Sequence, residues 1–591
     1  MNTGVSRSKI FGVGEYPSGT FRFKKIDGSF WNGETFRFAD YISLAIACSI
    51  TSCDIERLPY DSVDSNVAIS DPNYASNALV GIYGNLKSKL SNSWINEAHR
   101  LMEYNGDNVS LSGTTGDDLF YIYNYHRIDN GGRVNRFWVK SYQVIYGANA
   151  AIENIAEGVN AENDNYLGEA YFLRAMMYLY LSNAFGKPYT LASETDLSVP
   201  LKLDTDISNI PERSTVKKVY GQIEKDLLKA ADLMTIEKKA IFATREAAYA
   251  LLSRLYLYMG NNGECVKYAN KVIDSKRFSL LSAENFRKMN TLIPENNSEA
   301  IFSIKYLSGI EEGSLNDVVG GFYSTIDGLG WGEMYASRTY IDAVNYFPND
   351  ARQAFIVPQY AQGTDMEAVW VEDVNVEGTG IPTYQFGVYH ADGEGGYMTT
   401  SDNTRIDLNK ETTATGAVEY SFEKAGHKVQ VYVDKKMTKR GKYPLYFITK
   451  CSLQEGKNHA WSPCILRYSE VLLNKAEALC KLNDPDAVNV LNELRSHRDC
   501  PNYTSGDLVS GRGNSDLLDV ILDERRIELA YEGHRAMDLY RNKKNLNRNY
   551  PGSHLVNKNS FKEIKWSDKN IIQLIPINQI NAQGNLVQNE I

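Results

Sequence analysis

The chain has 591 residues, enough for two large domains or for one elaborate domain. Hydrophobic residues make up 43% and charged residues 23% of it, which is ordinary for a folded soluble protein. A formal net charge of −10 without a basic block argues against nucleic-acid binding.

The only markedly apolar stretch near the N-terminus is residues 41–50. It is too short to span a bilayer, which needs about 20 residues, but it fits the apolar region of a secretory signal. Ile50-Thr51-Ser52-Cys53 follows, and this pattern resembles a lipobox in which the thiol of Cys53 is lipidated. The alternative is an ordinary apolar strand. Because Asp40 and many further residues precede the stretch, we expect the start to be assigned too early and residues 1–52 to be absent from the mature protein.

A polar segment without periodicity, residues 53–70, predicts a tether, and residues 71–298 form a predicted N-terminal helical region. Gly, Asn and Asp are frequent over 105–132, where Tyr121, Tyr123 and Tyr125 occupy alternate positions. Alternation predicts a short strand with the three rings on one side. Apolar spacing predicts helices over 71–86, 94–104, 137–155, 167–185, 215–234, 244–258 and 264–275.

Residues 299–460 differ in composition from the helical region. Glycine becomes frequent, and short alternating runs over 300–306, 428–433 and 443–449 predict small sheets among loops. Binding residues concentrate on such loops. Trp331 and Tyr335 are therefore further candidates for contact with a ligand.

Residues 461–591 form a predicted C-terminal helical region, with helices over 462–482 and 485–498 and a helical hairpin over 517–541. Gly533 is expected to end the first helix of this hairpin. If that helix continues to Arg535, the pairs Arg525–Glu528 and Glu532–Arg535 are three residues apart and can meet.

Glu528 and Glu532 are four residues apart, and paired carboxylates can cleave a glycosidic bond. The flanking arginines favour a structural role instead, in a buried helix whose acids are held by guanidinium groups. No nucleophile-elbow, zinc-protease, phosphate-loop or calcium-loop motif is present, and no CxxC pair occurs. We therefore expect no catalytic residue, no metal and no cofactor.

Four segments carry a resemblance to a known family. ERRIELAYEGHR over 524–535, followed by Asp538 and Leu539, resembles the C-terminal signature of the SusD/RagB family. Three other matches occur in the family's order: GEAYFLRA at 168–175 with NAFG at 183–186, LRYSEVLLNKAEA at 466–478, and LIPI at 574–577 with NLVQN at 585–589.

The resemblance implies a surface lipoprotein of the Bacteroidota outer membrane that binds glycans without cleaving them. It implies a mainly α fold, in which tetratricopeptide-like helical hairpins carry a loop-rich insert with short β-strands. It also implies a partner, a SusC-like TonB-dependent transporter, over which the protein would act as a hinged lid.

The family has no fixed motif for its sugar-contacting rings, so the ligand-binding candidates rest on residue type alone. A sugar ring stacks on an aromatic face while polar groups bind its hydroxyls. Two other functions stay open, a glycan-cleaving enzyme that uses Glu528 and Glu532, and a peptide- or partner-binding adaptor. The candidates are Tyr121, Tyr123, Tyr125, Trp331 and Tyr335.

Overall fold

A computed structural model describes residues 74–87, 93–113, 117–307, 318–376, 378–504, 516–555 and 560–590. The predicted signal, Cys53 and the tether lie outside these residues. Among the described helices, none combines the length and the apolar character needed to cross a membrane.

The predicted helical scaffold is confirmed, and each of its long helices packs on the next. Several begin at a side-chain cap: Thr244, for example, accepts a hydrogen bond from Ala247 N. The first part of the scaffold consists of α1 (Tyr74–Leu86), α2 (Trp94–Glu103), α3 (Leu119–Asn124), α4 (Gly132–Asn154), α5 (Ala161–Phe185), α6 (Val216–Leu233), α7 (Arg245–Met259), α8 (Asn262–Asp274) and α9 (Ala283–Phe286).

The array resumes after the insert, where α12 packs on α8 across nearly two hundred intervening residues. A strand occupies the first part of the predicted helix 462–482, so that helix begins only at Tyr468. The later helices are α10 (Val319–Tyr323), α11 (Arg338–Val344), α12 (Tyr468–Lys481), α13 (Asp486–Ser496), α14 (Leu517–Glu528), α15 (Arg535–Arg541) and α16 (Ile577–Gln583).

A seven-stranded antiparallel sheet, in the order β10-β9-β8-β7-β13-β12-β11, forms the β-rich part of the insert. Its longest strands exceed the short strands expected from the sequence. Trp370, Phe422 and Val431 pack on one face as a separate apolar cluster. The strands are β7 (Met366–Val376), β8 (Thr379–His390), β9 (Tyr397–Thr400), β10 (Arg405–Asp407), β11 (Asn409–Thr412), β12 (Val418–Lys424) and β13 (His427–Lys435).

Two-stranded ladders join distant parts of the scaffold. β1 pairs with β5, so that Ser110 lies opposite Tyr335, and β4 pairs with β17. The remaining strands are β1 (Val109–Leu111), β2 (Leu197–Pro200), β3 (Arg213–Thr215), β4 (Ala300–Ser303), β5 (Met334–Ala336), β6 (Ile356–Pro358), β14 (Lys439–Arg440), β15 (Tyr443–Pro444), β16 (Tyr446–Ile448), β17 (Cys464–Arg467), β18 (Leu546–Asn547) and β19 (Glu563–Ile564).

The predicted strand through Tyr121, Tyr123 and Tyr125 is wrong. The segment is the short helix α3, because its buried residues Leu119, Ile122 and Tyr123 follow a three- and four-residue spacing rather than alternation. Tyr125, in the left-handed conformation at φ 58°, ends this helix.

The C-terminal hairpin also differs from its prediction. Helix α14 ends at Glu528, and the chain turns through two residues of positive φ, Tyr531 at 66° and Gly533 at 80°. A Cβ on Gly533 would lie 2.7 Å from Cβ of Met102, so this turn requires glycine for its close approach as well as its conformation. The second helix forms as predicted, over Arg535–Arg541.

Candidate functional site

Two groups of charged residues are candidates for a site. The first, called here the signature cluster, is buried beneath the C-terminal hairpin. Arg498 Nη2 donates to Glu299 Oε1 at 2.8 Å and to Glu528 Oε1 at 2.9 Å. Its members are Glu299, Arg352, Arg467, Arg495, Arg498, Glu524, Glu528 and Glu532.

The predicted pairing within the hairpin is wrong, although the predicted arginine–carboxylate pairing is confirmed. Arg525 donates to Asp538 although it shares α14 with Glu528, because Glu528 faces Arg467 and Arg498 instead. Arg535 donates to Asp107, because the helix ends before Glu532. Glu532 instead accepts from Arg467 Nη2 at 2.8 Å. The partners therefore come from distant parts of the chain.

The neighbouring cations keep Glu528 and Glu532 ionised. Burial alone would raise the pKa of Glu532, but Arg467 and Lys450 outweigh it and lower that pKa from 4.5 to about 2. Burial likewise opposes ionisation of Glu528, yet Arg498 and Arg467 hold its pKa well below its usual range. A catalytic acid needs the opposite shift.

No sugar ring fits beside these acids. Glu528 is fully buried. Glu532 lines a small cavity of about 40 Å³, together with Lys450 and Tyr531. That volume holds little more than a water molecule. The expectation that the acids of the hairpin have a structural role is therefore confirmed. The enzyme alternative, which used Glu528 and Glu532, has no accessible pair of carboxylates there.

Three of the five aromatic candidates have no face available to a ligand. Tyr123 is fully buried, with its hydroxyl 2.9 Å from Nδ1 of His554. Tyr125 donates its hydroxyl to Asn105 O, and Tyr335 packs against Phe447. These rings belong to the core, since stacking on a sugar requires an exposed face.

Trp331 and Tyr121 remain as candidates, with 56% and 38% of their surface exposed. The exposure of Trp331 is unusual, because an indole ring is generally buried. Both rings therefore stay predictions for ligand contact, with Trp331 the more exposed of the two.

The loop that carries Trp331 is held by its backbone. Trp331 N donates to Gly321 O at 2.6 Å, and Arg440 Nη1 donates to Gly332 O at 3.0 Å. Gly330 has φ +97°, and a Cβ there would lie 2.3 Å from Ser324 O, so only glycine permits this turn. The exposed indole therefore projects from a fixed backbone.

Beside this loop lies the second charged group, called here the Trp331 cluster. Glu97 on α2 accepts from Arg136 Nε at 3.0 Å and from Arg133 Nη1 at 3.3 Å. Arg133 also forms a two-pronged ion pair with Asp117. The cluster consists of Glu97, Arg100, Asp117, Arg133, Arg136, Glu333 and Arg440.

The cluster connects the two exposed aromatic residues. Asp117 lies just before α3, the helix that carries Tyr121, and its Oδ1 accepts from Leu119 N at 2.9 Å. Glu333 follows Trp331 by two residues and interacts electrostatically with Asp117. The structure thus brings the segments of Tyr121 and Trp331 to one group of charges.

Several buried polar atoms of this region lack a partner. Among the described residues, no hydrogen bond reaches Arg100 Nε, Arg100 Nη1, Tyr104 OH or Glu333 Oε1. Arg100 is only 3% exposed and lies 3.7 Å from the centre of the Phe322 ring. Burial raises the pKa of Glu333, although Arg100 and Arg133 act against it. Unsatisfied buried groups of this kind indicate a missing water or ligand.

Sequence reasoning missed Arg100, Tyr104 and Glu333. Helical periodicity places Arg100 on an ordinary amphipathic helix, and its neighbour Phe322 lies more than two hundred residues away. Nothing in a single sequence marks which charged residues will lack partners. Among the described residues, no group of three or more His, Cys, Asp or Glu side chains could hold a metal.

Two family models match most of the chain. A model described as "Starch-binding associating with outer membrane" matches residues 63–257, and the "SusD family" model matches residues 298–591. SusD-like protein P38 of Formosa agariphila is 23% identical over 454 residues, or 75% of this chain and 79% of that relative. SusD-like protein P2 of the same organism is 24% identical over 478 residues, which is 78% of this chain and 82% of that relative.

Solved structures share the fold. A SusD superfamily protein from Bacteroides thetaiotaomicron is 23% identical, with a TM-score of 0.66, and the match covers 88% of this chain and 99% of that one. A SusD-like carbohydrate binding protein from Bacteroides vulgatus is 19% identical, with a TM-score of 0.61, and the match covers 87% of this chain and 96% of that one.

Proposed function

Because this chain belongs to the SusD/RagB family, we propose that it is a surface lipoprotein of the outer membrane that binds an oligosaccharide. It delivers this ligand to a SusC-like TonB-dependent transporter and performs no covalent chemistry. The family consists generally of non-catalytic binding proteins. The lipid on Cys53 would hold the protein at the membrane.

The exposed Trp331 beside the Trp331 cluster carries the proposal. A sugar ring presents an apolar face that stacks on an indole, and its hydroxyls act as both donors and acceptors. The cluster offers both kinds of partner, guanidinium donors and carboxylate acceptors, next to that indole. A fixed backbone adds affinity, because little of the loop's freedom is lost on binding.

The test is a glycan array followed by calorimetric titration of the best oligosaccharide with the full-length protein in detergent. Trp331→Ala should weaken binding by about 1–3 kcal/mol, because it removes the stacking surface. Tyr146 on α4 is a matched control, an aromatic residue 51% exposed and outside the cluster. Tyr146→Ala should leave affinity unchanged.

Three results would contradict this proposal. Equal affinity of wild type and Trp331→Ala would exclude the site, and binding of peptides but of no glycan would favour the adaptor alternative. Release of reducing ends from a bound glycan would show an enzyme. The lipid anchor has a separate test, since mass spectrometry of the native protein should find a lipidated Cys53 at the N-terminus.

A further inference from the structure

An open cavity of about 660 Å³ lies between α1, α5 and the link that joins α6 to α7. Its volume falls within the range of small-molecule sites, whereas the cavity beside Glu532 has only about 40 Å³. Leu79 and Val80 line it from α1, and Val80 is 67% exposed. A sugar ring therefore has both the room and the access that the signature cluster lacks.

Aromatic rings form much of the wall of this cavity. Tyr83 on α1 meets Phe242 on the link edge to face, with 6.0 Å between the ring centres. Tyr166 on α5 lines the same cavity. Phe242 is exposed, and the other two rings are half-buried. An exposed phenyl ring can stack on the apolar face of a sugar.

Polar groups beside these rings can still bind a ligand. The Lys238 ammonium has three N–H groups, and Glu169 is the only acceptor for them among the described residues. This ammonium lies 4.5 Å from the centre of the Tyr166 ring, whose hydroxyl has no partner in the described part of the chain. Glu237 adds a carboxylate that is 82% exposed and that comes no closer than 4.0 Å to Arg277. The cavity thus offers N–H donors, a hydroxyl and an acceptor, as a sugar requires.

The link that carries Phe242 has a fixed backbone. Ser303 N donates to Ala240 O at 2.7 Å, and Ala243 N donates to the Tyr83 hydroxyl at 2.9 Å. These two bonds flank Phe242 and join the link to β4 and to α1. Little conformational freedom is therefore lost when a ligand binds to this wall.

Helix α4 shows that this cavity is separate from the Trp331 cluster. Arg136 of that cluster and Gly147 are eleven residues apart on α4, which corresponds to roughly 17 Å along the helix. Gly147 lies against α1, since a Cβ there would lie 3.0 Å from Ile82 Cγ1, and Ile82 precedes Tyr83. One sugar ring cannot reach both places.

We propose that this cavity, called here the Phe242 site, is a second binding site for the oligosaccharide. The apolar face of one sugar ring stacks on Phe242, a hydroxyl accepts from Lys238, and another hydroxyl donates to Glu237. The inference rests on the proposed function and adds a second point of contact. The site consists of Tyr83, Tyr166, Glu169, Glu237, Lys238 and Phe242.

Two sites on one scaffold predict a dependence on glycan length. A trisaccharide binds each site independently, whereas a long glycan that spans both makes its second contact intramolecularly. Phe242→Ala should therefore weaken binding of the polymer at least about tenfold. It should leave the affinity of the trisaccharide for the Trp331 site unchanged.

The experiment is calorimetric titration of the full-length protein with the trisaccharide of the glycan that binds most tightly on the array. We expect two trisaccharides per wild-type protein and one per protein for either Phe242→Ala or Trp331→Ala. The double variant should bind none. Tyr146→Ala, which removes an exposed ring outside both sites, should still bind two.

Tyr166→Phe distinguishes a binding role from a structural one, because it keeps the ring and removes only the hydroxyl. In the Trp331→Ala background, where only the Phe242 site remains, it should weaken trisaccharide binding about fivefold. The melting temperature should not change, since that hydroxyl has no partner in the described part of the chain.

The outcomes separate the two proposals. One trisaccharide per wild-type protein, with binding lost in Trp331→Ala, would overturn the Phe242 site while the glycan-binding function stands. Two trisaccharides in Phe242→Ala, or unchanged affinity in Tyr166→Phe, would also overturn it. One trisaccharide that Trp331→Ala keeps and Phe242→Ala loses would support the Phe242 site and exclude the one at Trp331. If no glycan binds, both proposals fail.

Discussion

The signature cluster and the Trp331 cluster contain the same residue types but differ in how closely their charges are paired. In the signature cluster, Arg467 donates to Glu299, Glu528 and Glu532, and each of those acids also has another cationic partner. In the Trp331 cluster, Arg100 forms only a longer ion pair with Glu97, at 3.6 Å, and its Nε and Nη1 have no hydrogen-bond acceptor among the described residues. Both clusters contain arginines and carboxylates, so composition does not distinguish them.

The difference shows how buried charge can serve two purposes. A network in which each buried acid has two cationic partners holds distant segments in place, because losing a partner weakens the compensation of buried charge. An unsaturated group lowers stability when the site is empty, and a ligand can recover that loss. Under the proposed function, one cluster would stabilise the fold and the other would contribute to ligand binding.

The largest expected effect is at Arg498. Arg498→Ala removes a cationic partner from both Glu299 and Glu528, which are fully buried, and leaves Arg467 to hold them; it should lower the free energy of unfolding by about 3–5 kcal/mol. Arg136→Ala is the control in the other cluster, since that arginine is 34% exposed and should cost less than about 1 kcal/mol. Guanidinium unfolding monitored by circular dichroism measures both. Similar losses for the two variants would remove the distinction between the clusters.

The next largest effect separates two aromatic candidates. Tyr123→Ala should destabilise the protein by about 3–5 kcal/mol, because it leaves a cavity and unpairs His554. It therefore acts on the fold rather than on glycan contact alone. Trp331→Ala should change stability by about 0.5 kcal/mol or less. If Tyr123→Ala is as stable as wild type but binds glycan more weakly, Tyr123 contacts the ligand after all.

Local patterns in the sequence predicted most of the helices. The hairpin at 517–541 combines an apolar face with alternating arginines and acids, which indicates burial with pairing. Its partners could not be predicted, because Arg467 and Arg498 reach Glu528 through tertiary packing rather than through helical spacing. The pairs expected three residues apart failed for this reason.

The errors have similarly local causes. Tyrosines at alternate positions suit a strand, but Leu119 and Ile122 provide the helical spacing that decides the segment. Strand β7 was not predicted, because its first half is buried on both faces and its far half is exposed on both faces, so neither half shows alternation. Exposure of Trp331 followed from its glycine-rich loop, whereas unpartnered atoms such as those of Glu333 depend on distant neighbours.

The pH dependence of stability tests the same contrast. Glu532 is saturated and has a pKa lowered from 4.5 to about 2, so its stabilising contribution is present above about pH 4.5 and is lost as the pH falls to 2. Glu103 is fully buried. Its burial raises its pKa from 4.5 to about 7, and the hydrogen bonds that it accepts from backbone N–H groups offset this shift only in part. Its proton is retained in the folded state, so stability falls as the pH rises from 4.5 to 7.

Each of these two pH-dependent losses should change the free energy of unfolding by on the order of 3 kcal/mol across its pH window. Glu532→Gln should flatten the acid limb, and Glu103→Gln should remove the decline between pH 4.5 and 7. Chemical unfolding at half-unit pH steps measures both limbs. A decline that persists in Glu103→Gln would assign it to another buried group.

The smallest expected effect concerns the edge of the Trp331 cluster. Tyr121 lies on α3, which Asp117 joins to Arg133, and its ring is only 38% exposed. If the glycan extends from Trp331 across the cluster, Tyr121→Ala should weaken binding by about 0.5–1 kcal/mol, less than Trp331→Ala, because a half-covered ring offers less stacking area. Shortening the oligosaccharide one residue at a time should remove the effect of Tyr121→Ala before that of Trp331→Ala. Loss of both effects at the same length would place the two rings around a single sugar residue.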